Sequence, residues 1–238
     1  MKPCIITAGQ YSSGSTALYN LVRFLLEEKY QKSDIHYGHF SGRSSRYLGC
    51  KRGPIGSNIC PIIKCHEKPK EKQLKDLGFA CSRKSHLYIS YRPLRQCAAG
   101  MLIKKERGLK LNQSKILKIL KQNINIFKTW SNIEESKLLT KRIIHFNEIL
   151  NNKEKLIEDI CLDLQIDVTK EKKLEIIDRI DDLRNSKEEY TISWVSKVQS
   201  EGMQIHGGTC LYDWEEAKIL ADTSILDLIE EHKNEIYY

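Results

Sequence analysis

Gly9-Gln10-Tyr11-Ser12-Ser13-Gly14-Ser15-Thr16, GQYSSGST, joins two segments with different periodicities. Upstream, Cys4-Ile5-Ile6-Thr7-Ala8 is the β-branched, apolar run of a buried strand; downstream, Leu18, Leu21, Val22, Leu25 and Leu26 recur at helical spacing. Strand, glycine loop and helix together form a context suited to anions. Two glycines allow the chain to turn tightly, so that consecutive N–H groups and the helix N-terminus converge on one point. Ser15 and Thr16 add hydroxyl donors, but Ser15 stands where the GxxxxGK[ST] pattern requires lysine. Taken alone, the stretch also fits an ordinary strand-to-helix turn capped by Ser13 or Ser15.

Composition narrows the classes. The 238 residues suffice for one α/β domain with its own core, and no Pro/Gly/Ser-rich linker divides them. The expectation is a single domain over residues 1–238. Thirty-nine basic and 31 acidic residues leave a net charge of +8, which favours anionic partners. Basic residues are dispersed among acids, as at Glu134, Glu135 and Lys137, so a nucleic-acid stripe is not signalled. The apolar run of the opening MKPCIIT is too short for a signal peptide and no stretch reaches spanning length, so a cytoplasmic protein without a membrane span is expected. Eight cysteines form no CxxC pair, and free buried thiols are expected in place of disulfides. Cys50, Cys60, Cys65 and His66 are too irregularly spaced for a metal site, and none is expected.

Further strands are read at Asp34 to Phe40, Cys60 to Cys65, Leu87 to Tyr91 and Arg142 to Phe146. Helical patterns cover the segment after Pro93, then Ser114 to Ser136, then Asn151 to Leu183. An amphipathic helix at 214–236 is expected to dock on the sheet through Ile219, Leu220, Ile225, Leu228 and Ile229. Alternating strands and helices imply a three-layer α/β/α fold with a central parallel sheet of about five strands, of the P-loop NTPase-like type. Ligands of such sheets bind at the carboxyl ends of the strands. There the sequence collects Ser12 to Thr16, Lys64 to Glu67, and Arg92 to Arg95.

The order SGST after the first strand, Lys64-Cys65-His66 at a later strand end, Tyr91-Arg92-Pro93-Leu94-Arg95 at the next, and His145-Phe146-Asn147-Glu148 after the last resembles the cytosolic-type sulfotransferase family. Gly207-Gly208-Thr209-Cys210-Leu211-Tyr212-Asp213-Trp214 resembles that family's closing Gly-x-x-Gly-Asp-Trp pattern. The resemblance implies 3′-phosphoadenosine 5′-phosphosulfate (PAPS) as donor, with no metal. It assigns the 5′-phosphosulfate to Ser12, Ser13, Gly14, Ser15 and Thr16, and the 3′-phosphate to Arg92 and Gly100. Gly207 and Gly208 close the nucleotide site, and Lys64 and His66 are the catalytic pair. It also accounts for the missing loop lysine: a sulfuryl group carries less charge than a γ-phosphoryl and does not need the lysine and Mg²⁺ clamp of a kinase.

The chain departs from the family at three points. Ser12 replaces a loop Lys or Arg, which leaves Lys64 as the candidate cation for the phosphosulfate. Gly100 replaces a serine, so Arg92 would share the 3′-phosphate with Arg95 or Lys104. His206 and Gly207 stand where many members have Arg-Lys. The implied reaction is in-line transfer to a hydroxyl or amine, which asks for positioning, donors on the developing charge and a base; His66 suits the last role because an imidazole titrates near neutrality. Glu67 is a rival base, Glu148 reads as structural, and Tyr212 and Trp214 could stack on adenine or simply dock the tail. A kinase with a degenerate loop and a non-catalytic anion-binding module are the competing readings. The acceptor, a small molecule or glycan, would lie between Ser41 to Asn58, which carries Arg43, Arg46, Lys51 and Arg52, and Asn185 to Met203. The oligomeric state is not written in the sequence.

Overall fold

In the computed structural model the strand before the glycine loop, β1 (Cys4–Gly9), is the centre of the sheet. The structure describes residues 2–11, 13–40, 47–48, 58–66, 85–106, 111–185 and 212–235. Helix α1 (Ser15–Lys29) follows the loop, then β2 (Ile35–Phe40), the two-residue β3 (Tyr47–Leu48), β4 (Cys60–Cys65) and β5 (Ser85–Tyr91). Next come α2 (Leu94–Glu106), α3 (Gln113–Ser131), β6 (Leu138–His145), α4 (Phe146–Asn151), α5 (Lys153–Leu164) and α6 (Lys170–Asn185). The described tail holds α7 (Trp214–Ala217) and α8 (Thr223–Glu231).

The sheet order is β3-β2-β4-β1-β5-β6, with β2, β4, β1, β5 and β6 parallel and β3 antiparallel on the β2 edge. Five parallel strands flanked by helices give the expected α/β fold. Alternation along the strands builds the two cores: Ile5, Ile62 and Tyr88 face α1, α5 and α6, whereas Ala8, Ile63, Leu87 and Ile89 face α2, α3 and α8. β1, buried on both faces, therefore tolerates no polar side chain except Thr7, whose hydroxyl donates to the Ile63 carbonyl.

Three helical segments differ from the periodicity. The helix expected to reach Ser136 ends at Ser131, where the Lys141 ammonium takes the carbonyls of Ser131 and Ile133 and turns the chain into β6. The Asn151 to Leu183 pattern is two helices: Gln165 adopts a left-handed conformation (φ 53°), and the Ile166 N–H returns to the Cys161 carbonyl, closing α5. The tail is likewise divided, because Asp222 caps α8 through the Ile225 N–H at 3.0 Å. Ile225, Leu228 and Ile229 are buried in the core shared with α3, while Ile219 is 81% exposed. Periodicity counts apolar residues but does not register a cap. No described helix is long and apolar enough to cross a membrane.

Candidate functional site

Parallel pairing places four strand ends side by side: Ala8 pairs with Cys65, Gly9 with Ser90, and Tyr91 with His145. The loop after β1, His66 after β4, Arg92 after β5 and Phe146 after β6 thus share one edge. Ser13, Gly14, Ser15, Thr16, Lys64, His66 and Arg92 are all buried there. Gly100 lies inside α2, where among the described residues an added Cβ would meet the Tyr212 ring at an ordinary 3.7 Å. Ser12, Glu67, Gly207 and Gly208, and most of both expected acceptor walls, lie outside the described residues.

The loop needs both its glycines. A Cβ on Gly9 would fall 2.1 Å from the Ser90 hydroxyl, and Gly14 sits at φ +78° with Phe146 2.9 Å from a Cβ. Gly14 caps α1, whose first turn has no acidic residue, so the N–H dipoles at that helix start receive no counter-charge from their own turn. The Ser13 hydroxyl bridges the Gln10 carbonyl and the Ser90 hydroxyl, both at 2.8 Å. Ser13 therefore braces the turn.

Lys64 is 6% exposed, and its ammonium donates to the Thr16 hydroxyl at 2.6 Å. Among the described residues no carboxylate forms an ion pair with it. Burial pulls its pKa down from the usual 10.5 to about 8. A buried cation facing a helix N-terminus is a costly arrangement that an anion would relieve. Arg92, 2% exposed, holds its guanidinium 4.6 Å over the Phe146 ring. Arg95 is exposed.

The His66 Nδ1 lies 2.7 Å from the Gly9 carbonyl. A carbonyl only accepts, so in the neutral ring the proton is on Nδ1 and the basic lone pair is on Nε2. Tyr11 stacks on the imidazole at 4.4 Å, and the Trp130 indole donates to the His66 carbonyl at 2.7 Å. Glu148 takes the structural part expected of it: it accepts from the His145 N–H at 2.7 Å, completing a capping box with the His145 ring. Burial holds the His145 pKa below its usual value. Cys60 and Cys65 stand at opposite ends of β4, roughly 16 Å apart by strand rise, and do not share a metal.

Sequence reading missed Gln10, Ser90, Asn123, Trp130 and Phe146. The Gln10 carboxamide accepts from the Arg92 N–H at 2.9 Å and donates to the Asn123 carbonyl at 3.4 Å, tying the loop to β5 and α3. Asn123 carried one sequence signal: it is a polar residue on the stripe Ile116, Leu120, Ile124 and Phe127.

No protein-family model matches the chain, and no curated protein matches it in sequence. Its structure is similar to that of mouse sulfotransferase SULT7A1 complexed with PAP, with a TM-score of 0.52 and 12% identity over 99% of this chain and 86% of that one. It is also similar to retinol dehydratase, solved with androsterone and the inactive cofactor PAP, with a TM-score of 0.57 and 12% identity over 97% of this chain and 80% of that one. The chain shares the α/β fold of these proteins.

Proposed function

We propose that the chain is a single-domain sulfotransferase that moves a sulfuryl group from PAPS to a hydroxyl or amine of a small molecule or glycan. The observation that carries this reading is Lys64: a buried ammonium with no carboxylate partner among the described residues, bonded to the Thr16 hydroxyl at the start of α1. The donor set fits a multiply charged anion. Lys64, the amides of Ser13 to Thr16 and the Ser15 and Thr16 hydroxyls would hold the 5′-phosphosulfate. Arg92 would hold the 3′-phosphate beside Gly100, and Ser12, Gly207 and Gly208 belong to the site by resemblance.

Bound there, the donor supplies the sulfuryl group that passes from its bridging phosphate oxygen to the acceptor, releasing adenosine 3′,5′-bisphosphate. His66 takes the acceptor's proton at Nε2, while its Nδ1–H stays on the Gly9 carbonyl. Lys64 offsets charge developing on the phosphate side. A kinase would need an Asp for Mg²⁺ at a strand end, and among the described residues the ends of β1, β4, β5 and β6 carry Gly9-Gln10, Cys65-His66, Tyr91-Arg92 and His145-Phe146 instead.

Calorimetric titration with adenosine 3′,5′-bisphosphate, in parallel with ATP plus Mg²⁺, tests the reading. Micromolar binding of the bisphosphate, absent for ATP and lost in Arg92→Ala, is the expected result; ATP binding without bisphosphate binding would sink it. Gly100→Ser should also be well tolerated, because among the described residues an added Cβ meets the Tyr212 ring at an ordinary van der Waals distance. Replacing a mid-helix glycine should stabilise the fold by about 0.5 kcal/mol, raising the melting midpoint by roughly 1–2 °C. The new hydroxyl should tighten the bisphosphate severalfold.

A further inference from the structure

We infer that Asn123 is a positioning residue for His66, acting through Tyr11; this rests on the reading of His66 as the base. Asn123 is 0% exposed in the middle of α3, among the apolar residues that pack the helix on the sheet. A carboxamide buried there is costly unless both of its ends are paired. Both are paired to one residue: Oδ1 accepts from the Tyr11 N–H at 2.8 Å, and Nδ2 donates to the Tyr11 carbonyl at 3.2 Å. The clamp holds the Tyr11 N–H and carbonyl as a strand neighbour would, beyond the end of β1.

The consequence lies in the Tyr11 ring. It stacks on the His66 imidazole with centroids 4.4 Å apart and planes 27° apart. His66 is thus held in three ways: the Gly9 carbonyl takes its Nδ1–H, the Tyr11 ring covers one face, and Trp130 holds its main-chain carbonyl. Asn123 and Trp130 stand two turns apart on α3, so one helix sets both the plane of the ring and the backbone that carries it. The Gly9 contact selects the tautomer. The Tyr11 contact restricts the ring plane and hence the direction in which the Nε2 lone pair points. Partners that orient metal-ligating histidines are worth about 10- to 100-fold in activity, and an effect of that order is expected for the orientation of His66.

The test is a long-range ¹H–¹⁵N spectrum of the His66 ring in the full chain without ligand, compared across variants. The wild type should show the Nδ1–H tautomer, with the carbon-bound ring protons shifted upfield by the Tyr11 ring. Asn123→Leu and Tyr11→Leu should both lose that shift, whereas Tyr11→Phe should keep it. In transfer assays with labelled PAPS and a panel of phenols, alcohols and amines, Asn123→Leu should lower kcat by 10- to 100-fold, with KM for PAPS within about threefold of wild type. An upfield shift that survives in folded Asn123→Leu overturns the inference, as does an equal rise in KM and fall in kcat. If Asn123→Leu does not fold, Asn123→Asp, which keeps only the acceptor for the Tyr11 N–H, carries the same test. A wild type that binds no bisphosphate would defeat the sulfotransferase reading while the spectra still decide the role of Asn123.

Discussion

At pH 7, Lys64→Met should unfold at a higher temperature than the wild type and bind adenosine 3′,5′-bisphosphate about 100-fold more weakly. Both effects follow from one buried ammonium. In the free protein its pKa falls from 10.5 to about 8 because burial penalises the charge; that drop corresponds to a destabilisation of about 3 kcal/mol, to order of magnitude. Methionine fills similar space without the charge. Below pH 8 the ammonium is protonated in both the folded and unfolded chains, and the penalty is full. Between 8 and 10.5 the unfolded chain holds the proton that the folded chain has released, so wild-type stability rises with pH and the advantage of Lys64→Met shrinks. Thermal melts of the two proteins from pH 7 to 10 should therefore converge. Binding reverses the sign: an anion favours the charged amine, so affinity falls as pH rises past about 8. Titration at that pH should draw in about half a proton, measured in buffers of different ionisation enthalpy, and the variant should lack this uptake. A destabilised Lys64→Met, or unchanged proton uptake, would remove Lys64 from the anion site.

His66→Asn should lower kcat by 10²- to 10⁴-fold and leave bisphosphate affinity within about threefold of wild type. Asparagine places an amide N–H near the position of Nδ1, so the bond to the Gly9 carbonyl is kept while the Nε2 lone pair is removed. The loop, Lys64 and Arg92 keep their partners. A parallel loss of affinity and rate would make His66 a brace of the loop, not a base, and Glu67 would become the residue to replace next.

The five parallel strands were legible because the central ones, β1, β4 and β5, are short apolar runs that end at Gly9, at Lys64 and at Arg92-Pro93, and parallel order then followed from alternation with helices; the two-residue β3 lies in a stretch read as a loop, because so short an edge pairing carries no periodicity. The gathering of Lys64, His66 and Arg92 was legible for the same reason: residues at the ends of parallel strands meet along one edge. Helix limits were less so. Gln165 in the left-handed region and Asp222 as a cap interrupt continuous apolar periods, and a hydrogen bond of three atoms outweighs a pattern of many residues at those points.

What the sequence determined by itself was the α/β class, the tight strand-to-helix turn imposed by Gly9 and Gly14, and the identity of the charged groups brought to the sheet edge. Tertiary structure alone decided their states. Burial, which no local pattern encodes, makes Lys64 an expensive cation; the Gly9 carbonyl selects the tautomer of His66; and Asn123, 112 residues from Tyr11 along the chain, clamps the loop. A pKa, a tautomer and a ring plane depend on neighbours distant in sequence, because desolvation and hydrogen bonding act through space.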